Sequence, residues 1–429
     1  MPPVFGLNNL QALVGLVVIP TLCWLVSENR RRFPWRLLVG TAVLQIMLIL
    51  LFFGTPLSGA ILRGIAGAVN GLAGAAQAGT QFVFGFLAGG RTPYVITDPG
   101  AAYIYGFHVL PVMIVVCALS ALFWYWGIMQ RVARAFGAVF ERVLGLNGPT
   151  ALATAATIFL GQVEGPILVR AYLDQLTRAE MFILMAVGYA CCSGAVMVGY
   201  ATLLQGFIPN VAAHIVTAAI LAAPVGVLMA QIIIPLPPVA ERIKPDLTTH
   251  LKYRSGIDAV MNGTSIGLQL ALNIAATQIV FIAGLILVNG LLGFLPHVGG
   301  EPLTAQGILG FVFRPLAWLV GIPSNEVSVT ARFFGQKLAL NTFIAFGDMV
   351  KLPSEALSER TKMLVVYALT GFANMMSVGV MSAGLSIIMP ERRAEILQLA
   401  WKGLYAGYLA TCFTAALVGV LPWTLFGQH

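Results

Sequence analysis

Two apolar segments that are interrupted at their centres decide the fold: residues 149–176, broken by GQVEGP (161–166), and residues 307–346, broken by GIPSNE (321–326). A helix with Gly, Pro and Glu at its midpoint cannot cross lipid intact, because the freed backbone groups need hydrogen-bond partners from protein or from a water-filled cavity. Both segments are therefore predicted to be re-entrant hairpins, which enter the membrane and return to the side from which they came.

The remainder of the chain is made of long apolar runs. Of its 429 residues, 59% are hydrophobic and 9% are charged, whereas a soluble domain has roughly 45–50% and about 25%. Each run is long enough to cross a hydrocarbon core of about 30 Å, and none alternates as the strands of an outer-membrane barrel do. Spans are predicted at about residues 8–27, 35–54, 105–127, 180–203, 213–235, 258–296, 360–389 and 395–425.

Two segments that are less hydrophobic than the spans are predicted to be interfacial helices. Residues 56–88 are rich in Gly and Ala with scattered polar residues, and residues 131–146 are amphipathic and carry three Arg. Such segments suit the membrane surface or a protein-packed position better than the lipid core. The predicted fold class is therefore an all-α polytopic membrane protein, with about eight transmembrane helices, two re-entrant hairpins in inverted repeats and interfacial helices.

Positive charges predict the topology. The net charge is +8, but Lys and Arg lie in short clusters between apolar runs, which favours a topology signal over binding to nucleic acid. Because Arg30, Arg31 and Arg32 follow the first run, the chain is predicted to start outside. With both termini in the periplasm of a bacterial inner-membrane protein, 13 Lys and Arg lie inside and 5 lie outside.

The two broken segments head similar units. Each is followed by a span of small residues, at 188–200 and 371–384, and then by a final span. The first hairpin opens from inside and the second from outside, so the units are inverted, which is typical of a secondary transporter with its site near the midplane. The predicted organisation is scaffold and interfacial helices over 1–148, a first repeat over 149–235, a cytoplasmic loop and long scaffold helix over 236–306, and a second repeat over 307–429.

Acidic residues stand in both breaks. Glu164 lies beside Gln162 in the first break, and a carboxylate at that depth is costly unless it is protonated, paired or hydrated. A functional role is therefore favoured over a structural one. Asn325 and Glu326 end the second break, where capping of the following helix and contact with a ligand are both open.

Other polar residues are less specific. Asn374 and Ser377 interrupt an apolar span and could either bind a polyhydroxylated ligand or hydrogen-bond between helices. No Cys or His has metal-ligand spacing, and no His accompanies a nucleophile, so neither a metal nor a cofactor is predicted. The cysteines are interpreted as buried small hydrophobic side chains: Cys23, Cys117, Cys191, Cys192 and Cys412.

Four stretches resemble the concentrative nucleoside transporter family: GQVEGPILVRAYL (161–173), IDAVMNGTSIGLQLALNIAA (257–276), GIPSNEVSVTARFFGQKLALNTFIAF (321–346) and YALTGFANMMSVGVMSAGL (367–385). The likeness runs over essentially the whole chain. It implies a homotrimer whose protomers each have a scaffold part and a mobile transport part. The transport part would carry one substrate by an elevator-like shift driven by sodium or protons.

The same resemblance assigns candidate binding residues. It implies that Gln162, Val163 and Glu164 contact a nucleobase. It also implies that three positions hold the sugar and that one aromatic side chain lines the pocket. These are Thr342, Asn374 and Ser377 for the sugar, and Phe372 for the pocket wall.

Four positions depart from the family pattern. Val163 replaces a hydroxyl residue, and Thr342 replaces a Glu that binds ribose in the family. Thr157 and Cys191 replace the Asn and Ser whose side chains bind sodium, and a thiol is a poor ligand for a hard cation. These departures predict coupling to protons rather than to sodium, with Glu164 as the proton-sensitive group.

The leading prediction is proton-linked uptake of a nucleoside or a nucleoside-like solute. Two alternatives stay open. In one, the same fold serves a different solute, such as a modified nucleoside or a nucleobase. In the other, a membrane-embedded enzyme uses Glu164 or Glu326 as acid and base. Because no metal cluster or nucleophile–base pair accompanies these acids, the chain is predicted not to be an enzyme.

Overall fold

All regular structure in the described part of the chain is helical, which confirms the predicted all-α class. The computed structural model describes residues 6–54, 58–95, 104–237, 253–295 and 303–422. The two chain termini, whose periplasmic position is predicted, and residues 238–252 of the predicted cytoplasmic loop lie outside the described residues.

The first third of the chain provides two long apolar helices, one helix rich in small residues, a short turn of helix, a further apolar helix and an amphipathic helix. The amphipathic helix, α6, exposes its Arg side chains and buries Gly137 and Phe140 on its other face. The bounds are α1 (Leu7–Leu25), α2 (Trp35–Ile49), α3 (Ser58–Phe84), α4 (Tyr105–His108), α5 (Leu110–Tyr125) and α6 (Ile128–Leu144).

Two helical units, separated by one long helix, make up the rest. The first unit contains α7 (Gly148–Leu160), α8 (Glu164–Ile167), α9 (Arg178–Ala190), α10 (Gly194–Leu203) and α11 (Val211–Ile233). The long helix is α12 (Gly256–Leu292). The second unit contains α13 (Ala305–Leu319), α14 (Ser324–Ala339), α15 (Thr342–Val350), α16 (Glu359–Leu369), α17 (Met375–Ile388) and α18 (Arg393–Val420).

Seven segments of the described chain are long and apolar enough to cross a membrane. They correspond to seven of the predicted spans, and the segment Arg178–Leu203 among them consists of α9 and α10. The remaining predicted span, at about 360–389, consists of two shorter helices, α16 and α17. Its division follows from the run Thr370 to Asn374, which has no helical conformation.

Both hairpins turn at a glycine with a positive φ. Gly161 ends α7 with φ +125°, and Gly321 follows α13 with φ +92°. Side chains other than hydrogen are strained in this region of backbone space, so the glycines permit the sharp reversals. Pro323 then precedes the first residue of α14. A backbone N–H at this position would have no partner within the helix, so proline costs the helix no hydrogen bond.

Two spans are divided into pairs of shorter helices, α9–α10 and α16–α17, and they cross at the non-helical links between those helices. Gly371 has φ +143°, and a Cβ on it would lie 2.5 Å from the Ala190 carbonyl oxygen. The N–H of Phe372, between α16 and α17, donates to the Cys191 carbonyl, between α9 and α10, over 3.0 Å. Backbone groups freed by one break are thus partly satisfied by the other, as a membrane interior requires.

Helices α5 and α12 form a close pair at one side of the molecule. Gly263 and Gly267 of α12 lie one turn apart and face α5. A Cβ on Gly263 would lie 2.6 Å from the Cys117 carbonyl oxygen, and one on Gly267 would lie 2.6 Å from the Ile114 Cα. This spacing of small residues allows two helix backbones to approach closely in a membrane protein.

The other side is a densely packed bundle of α9, α11, α16 and α18, with α1 against α18. In the apolar stretch of α11, 94% of the residues are buried, whereas in that of α12 only 12% are buried. Helix α12 therefore lies at the periphery of the molecule. Its exposed side chains include Ile279, Val280, Leu287 and Leu291.

Candidate functional site

A cavity of about 280 Å³ lies between the α5–α12 pair and the two helical units, α7–α11 and α13–α18. Its walls come from the tip of the first hairpin, α10, the start of α15 and the start of α17 on one side, and from α5 and α12 on the other. The two units therefore meet at this cavity, as expected for a pair of inverted repeats with one shared site.

The tip of the first hairpin supplies acceptors to the cavity. Gln162, Val163 and Glu164 all line it. The Glu164 carboxylate lies against the turn of the hairpin, since a Cβ on Gly161 would lie 2.7 Å from its Oε2 atom. The Gln162 Oε1 atom is buried and has no hydrogen-bond partner in the described part of the protein, which is costly unless a ligand or water fills the place.

The second unit contributes Phe372, Asn374 and Ser377 to the same cavity. The Asn374 Oδ1 atom accepts a hydrogen bond from the Ser377 N–H over 2.9 Å, so Asn374 is the N-cap of α17. The sequence left open whether Asn374 binds a ligand or connects helices. The structure gives its oxygen a capping role and leaves its amide nitrogen without a partner among the described residues.

Thr342 lies behind the cavity wall instead of on it. Its side chain is 0% exposed and does not line the cavity. The hydroxyl donates to the Leu369 carbonyl over 3.0 Å, at the end of α16. The preceding residue, Asn341, lines the cavity instead. Sequence reasoning missed Asn341, although an Asn before a short helix is a typical N-cap.

The two positions that bind sodium in the family do not face the cavity here. The Thr157 hydroxyl donates to the Ala153 carbonyl over 2.8 Å, and Gly165 packs directly against the Thr157 side chain. The Cys191 thiol is buried and points to the Ala219 carbonyl at 3.6 Å. No group of three His, Cys, Asp or Glu residues that could hold a metal occurs in the described ranges.

The tip of the second hairpin lies away from the cavity. Asn325 is exposed, and the Glu326 carboxylate accepts from the N–H of Ser358 over 3.3 Å and from its hydroxyl over 3.2 Å. Ser358 is the N-cap of α16. These contacts anchor the hairpin tip to the start of α16. They do not cap the following helix, because α14 begins after Pro323 with no side-chain capping hydrogen bond.

The α5–α12 pair supplies the facing wall. Cys117, Ser120 and Trp124 of α5 and Leu270 of α12 line the cavity. The Trp124 Nε1 atom is buried and has no hydrogen-bond partner in the described chain. Sequence reasoning missed this wall, because an apolar span gives no sign of which face meets a cavity.

One buried cation lies close to the site. Lys337 of α14 is 0% exposed, and its ammonium donates to the Ala368 carbonyl and to the Thr411 hydroxyl, both over 2.8 Å. The ammonium also lies 4.8 Å from the centre of the Tyr408 ring. Within the described part of the chain no carboxylate forms an ion pair with it. No motif in the sequence points to Lys337.

Family models match the chain over most of its length. Residues 14–87 match the Na+ dependent nucleoside transporter N-terminus, residues 107–207 match a nucleoside recognition domain called Gate, and residues 214–419 match the Na+ dependent nucleoside transporter C-terminus.

Curated relatives share this extent. An uncharacterized transporter of Haemophilus influenzae is 33% identical over 96% of this chain and 98% of its own length. The nucleoside permease NupC of Helicobacter pylori is 31% identical over the same shares of the two chains. The putative nucleoside permease NupX of Escherichia coli is also 31% identical, over 96% of this chain and 99% of its own. These relatives are transporters, which confirms the prediction that the chain is not an enzyme.

Solved structures agree with the fold. The transporter CNTnw in an inward-facing substrate-bound state has a TM-score of 0.88 and 29% identity, and the match covers 99% of this chain and 100% of that one. A variant of CNTnw in an outward-facing state has a TM-score of 0.86 and 30% identity, and covers 98% of this chain and 99% of that one. With sequence, domain models and structure in agreement from end to end, the chain belongs to the concentrative nucleoside transporter family.

Proposed function

We propose that this protein is a secondary active transporter that imports nucleosides or nucleoside-like solutes across a bacterial inner membrane, coupled to protons. The observation that carries the proposal is the cavity at the crossing of the two broken units, with Gln162, Glu164 and Asn374 in its walls. Polar groups at the centre of an otherwise apolar helical protein are expensive, and a solute path accounts for their presence.

The cavity suits a solute with a flat apolar part and a polar end. Phe372, Phe343 and Val163 provide apolar surface, and Gln162 provides an unpaired buried oxygen. A nucleobase has both features, since its ring faces are apolar and its edge carries hydrogen-bonding groups. The relatives named nucleoside permeases support the same class of solute.

Proton coupling is supported by the state of the two positions that would bind sodium. Gly165 packs against the Thr157 hydroxyl oxygen, since a Cβ on Gly165 would overlap with it, so little space is left there for a cation. Cys191 offers sulfur, whereas sodium prefers oxygen. Glu164, in contrast, is an ionisable group that lines the cavity, and we assign proton binding to it.

Movement is proposed to be of the elevator type, within a homotrimer. The α5–α12 pair would be the stationary wall and the two broken units the moving part, with the cavity at their boundary. The exposed apolar face of α12 is available for contact with lipid or with neighbouring protomers. Mass measurement of the protein extracted in detergent tests the trimer, and a monomer under mild extraction would contradict it.

Counterflow in proteoliposomes tests the function itself. Vesicles loaded with unlabelled uridine should accumulate labelled uridine transiently, and the label should remain chemically unchanged. An altered product would instead support the alternative of a membrane-embedded enzyme. A second arm imposes a sodium gradient at constant pH and membrane potential. Uptake driven by that gradient would overturn proton coupling while leaving the transporter proposal intact.

A further inference from the structure

Two asparagines on one wall of the cavity use their oxygens for helix capping. Asn341 and Asn374 are 5% and 3% exposed, and both line the cavity. The Asn341 Oδ1 accepts from the Ile344 N–H over 3.0 Å at the start of α15, and Asn374 caps α17 in the same way. Neither Nδ2 atom has a hydrogen-bond partner in the described ranges. This wall therefore presents two amide N–H donors, while the oxygen atoms of the same two amides already accept hydrogen bonds from helix N–H groups.

The same wall has few acceptors to offer. Thr342 lies behind it with its hydroxyl bonded to the Leu369 carbonyl. Ser377 supplies one hydroxyl, which can either donate or accept. A ligand hydroxyl placed here could accept hydrogen bonds from the two amides. Its own O–H would then need an acceptor, such as the Ser377 hydroxyl oxygen. A ligand oxygen that only accepts has no such proton to satisfy.

The charge near the wall points in the same direction. Helices α15 and α17 direct their positive ends to the cavity, because their N-caps line it. Lys337 donates to the Ala368 carbonyl, next to the Leu369 carbonyl that binds Thr342, and has no carboxylate partner in the described chain. The acidic residue among those that line the cavity, Glu164, lies on the first hairpin and not on α15 or α17.

We infer that Asn341 is a substrate-binding residue and that, with Asn374, it binds an oxygen that only accepts hydrogen bonds, such as a carboxylate, on the sugar end of a nucleoside-like solute. The inference rests on the proposed function and specifies its substrate. The solute then lies with its N–H groups toward Gln162 and Glu164, and with its acceptor end toward the two asparagines.

Replacement of Asn341 with Asp tests the inference with little change in shape. Aspartate keeps the capping oxygen for Ile344, so α15 retains its N-cap, but it exchanges the amide donor for a second anionic oxygen. The ligands are uridine and uridine 5′-carboxylate, titrated calorimetrically into the purified full-length protein. Thr304→Asp is the matched control, since it adds the same charge at another N-cap, that of α13, outside the cavity lining.

The wild type should bind the carboxylate at least about tenfold more tightly than uridine. Asn341→Asp should remove that preference by lowering carboxylate affinity about tenfold or more while changing uridine affinity much less. Thr304→Asp should leave both affinities unchanged. If the aspartate variant fails to fold, Asn341→Ser keeps a capping oxygen without the amide and without the charge, and it should also reduce the preference for the carboxylate.

Three results would overturn the inference: a wild type that prefers uridine, equal losses for both ligands in Asn341→Asp, or an unchanged preference in both Asn341 variants. Uridine counterflow that proceeds normally beside any of these would leave the proposed function standing. The absence of binding and of counterflow for every nucleoside ligand would overturn the proposed function as well.

Discussion

The two inverted units share a plan but use it differently. In the first unit the hairpin tip reaches the cavity and presents the carboxylate of Glu164. In the second unit the hairpin tip lies outside, with Glu326 bonded to Ser358, and the N-caps of α15 and α17 reach the cavity instead. Equivalent positions in an internal repeat therefore do not imply equivalent chemistry, and the contacts of each acid decide its role.

The crossing of the breaks is the point where the two units depend on each other most. Gly371→Ala should destabilise the protein by about 2–4 kcal/mol, because alanine is strained at φ +143° and its Cβ would meet the Ala190 carbonyl oxygen. The midpoint of thermal unfolding in detergent measures the effect. Gly379→Ala is the control, since nothing lies within 4 Å of a Cβ there. Equal stability of the two variants would contradict the close crossing.

The difference between the two acids can be tested by paired substitutions. Glu164→Gln should reduce accumulation driven by a pH gradient by about tenfold or more, while exchange of bound solute persists, because the amide cannot carry a proton. Glu326→Gln should leave the pH dependence unchanged, since that carboxylate anchors α16. Uptake into proteoliposomes at a series of external pH values measures both. Loss of pH dependence in the Glu326 variant alone would exchange the roles of the two residues.

A carboxylate can also be added to the second unit. Thr342 lies behind the cavity wall, but the longer side chain of Thr342→Glu could extend past Asn341 into the cavity. It should then strengthen uridine binding by about fivefold and widen the preference for uridine over deoxyuridine, because the carboxylate would accept from sugar hydroxyls. Lys337 is near enough in the fold to share the new charge, since both side chains bond to adjacent carbonyls of α16. Calorimetric titration with both nucleosides measures the change. Tight uridine binding by the wild type that this substitution weakens would argue against the expectation.

A smaller effect is expected where partly exposed ion pairs join the two units. Glu28, between α1 and α2, accepts hydrogen bonds from Arg178 of the first unit over 3.2 Å and from Lys402 of the second over 2.8 Å. Partial burial by itself would raise the pKa of Glu28, but the hydrogen bonds from Lys402 and Arg178 outweigh it, so the pKa lies below its ordinary value. The stabilisation is therefore present above the ordinary carboxyl pKa and is lost as the pH falls through the lowered one.

Glu28→Gln should thus cost up to about 1 kcal/mol at neutral pH, since the groups are half-exposed. The cost should vanish in acid, where wild type and variant carry the same charge at this position. Thermal unfolding of both proteins as a function of pH provides the measurement. A cost that is independent of pH would show that packing of this loop, rather than its charge, holds the two units together.

The sequence predicted most of what depends on backbone chemistry. Gly, Pro and Glu within apolar segments correctly indicated breaks, because lipid tolerates few ways to satisfy a freed backbone. Gln162 and Asn374 could be selected as polar residues in apolar surroundings. The sequence could not show that Asn341, and not Thr342, lines the cavity. A shift of one residue at the start of a short helix decides which side chain faces inward.

Contacts between distant helices were also beyond the sequence. The close approach of α5 and α12 depends on Gly263 and Gly267 facing that one neighbour, and many glycines in the chain face open space. The hydrophobic periodicity of the sequence does not predict that Lys337 is buried, since its burial results from the joint positions of α14, α16 and α18. Tertiary packing, and not local pattern, fixes both features.

The hydrogen bond from Phe372 to the Cys191 carbonyl has a consequence for biosynthesis. The ribosome makes the first unit well before the second, so during insertion the carbonyl of the first break has no partner until the second break arrives. An unpaired carbonyl in lipid is costly. The newly inserted first unit therefore needs water or an insertion factor beside its break, and a chain truncated before α16 should be degraded as an unfinished membrane protein instead of persisting as half a carrier.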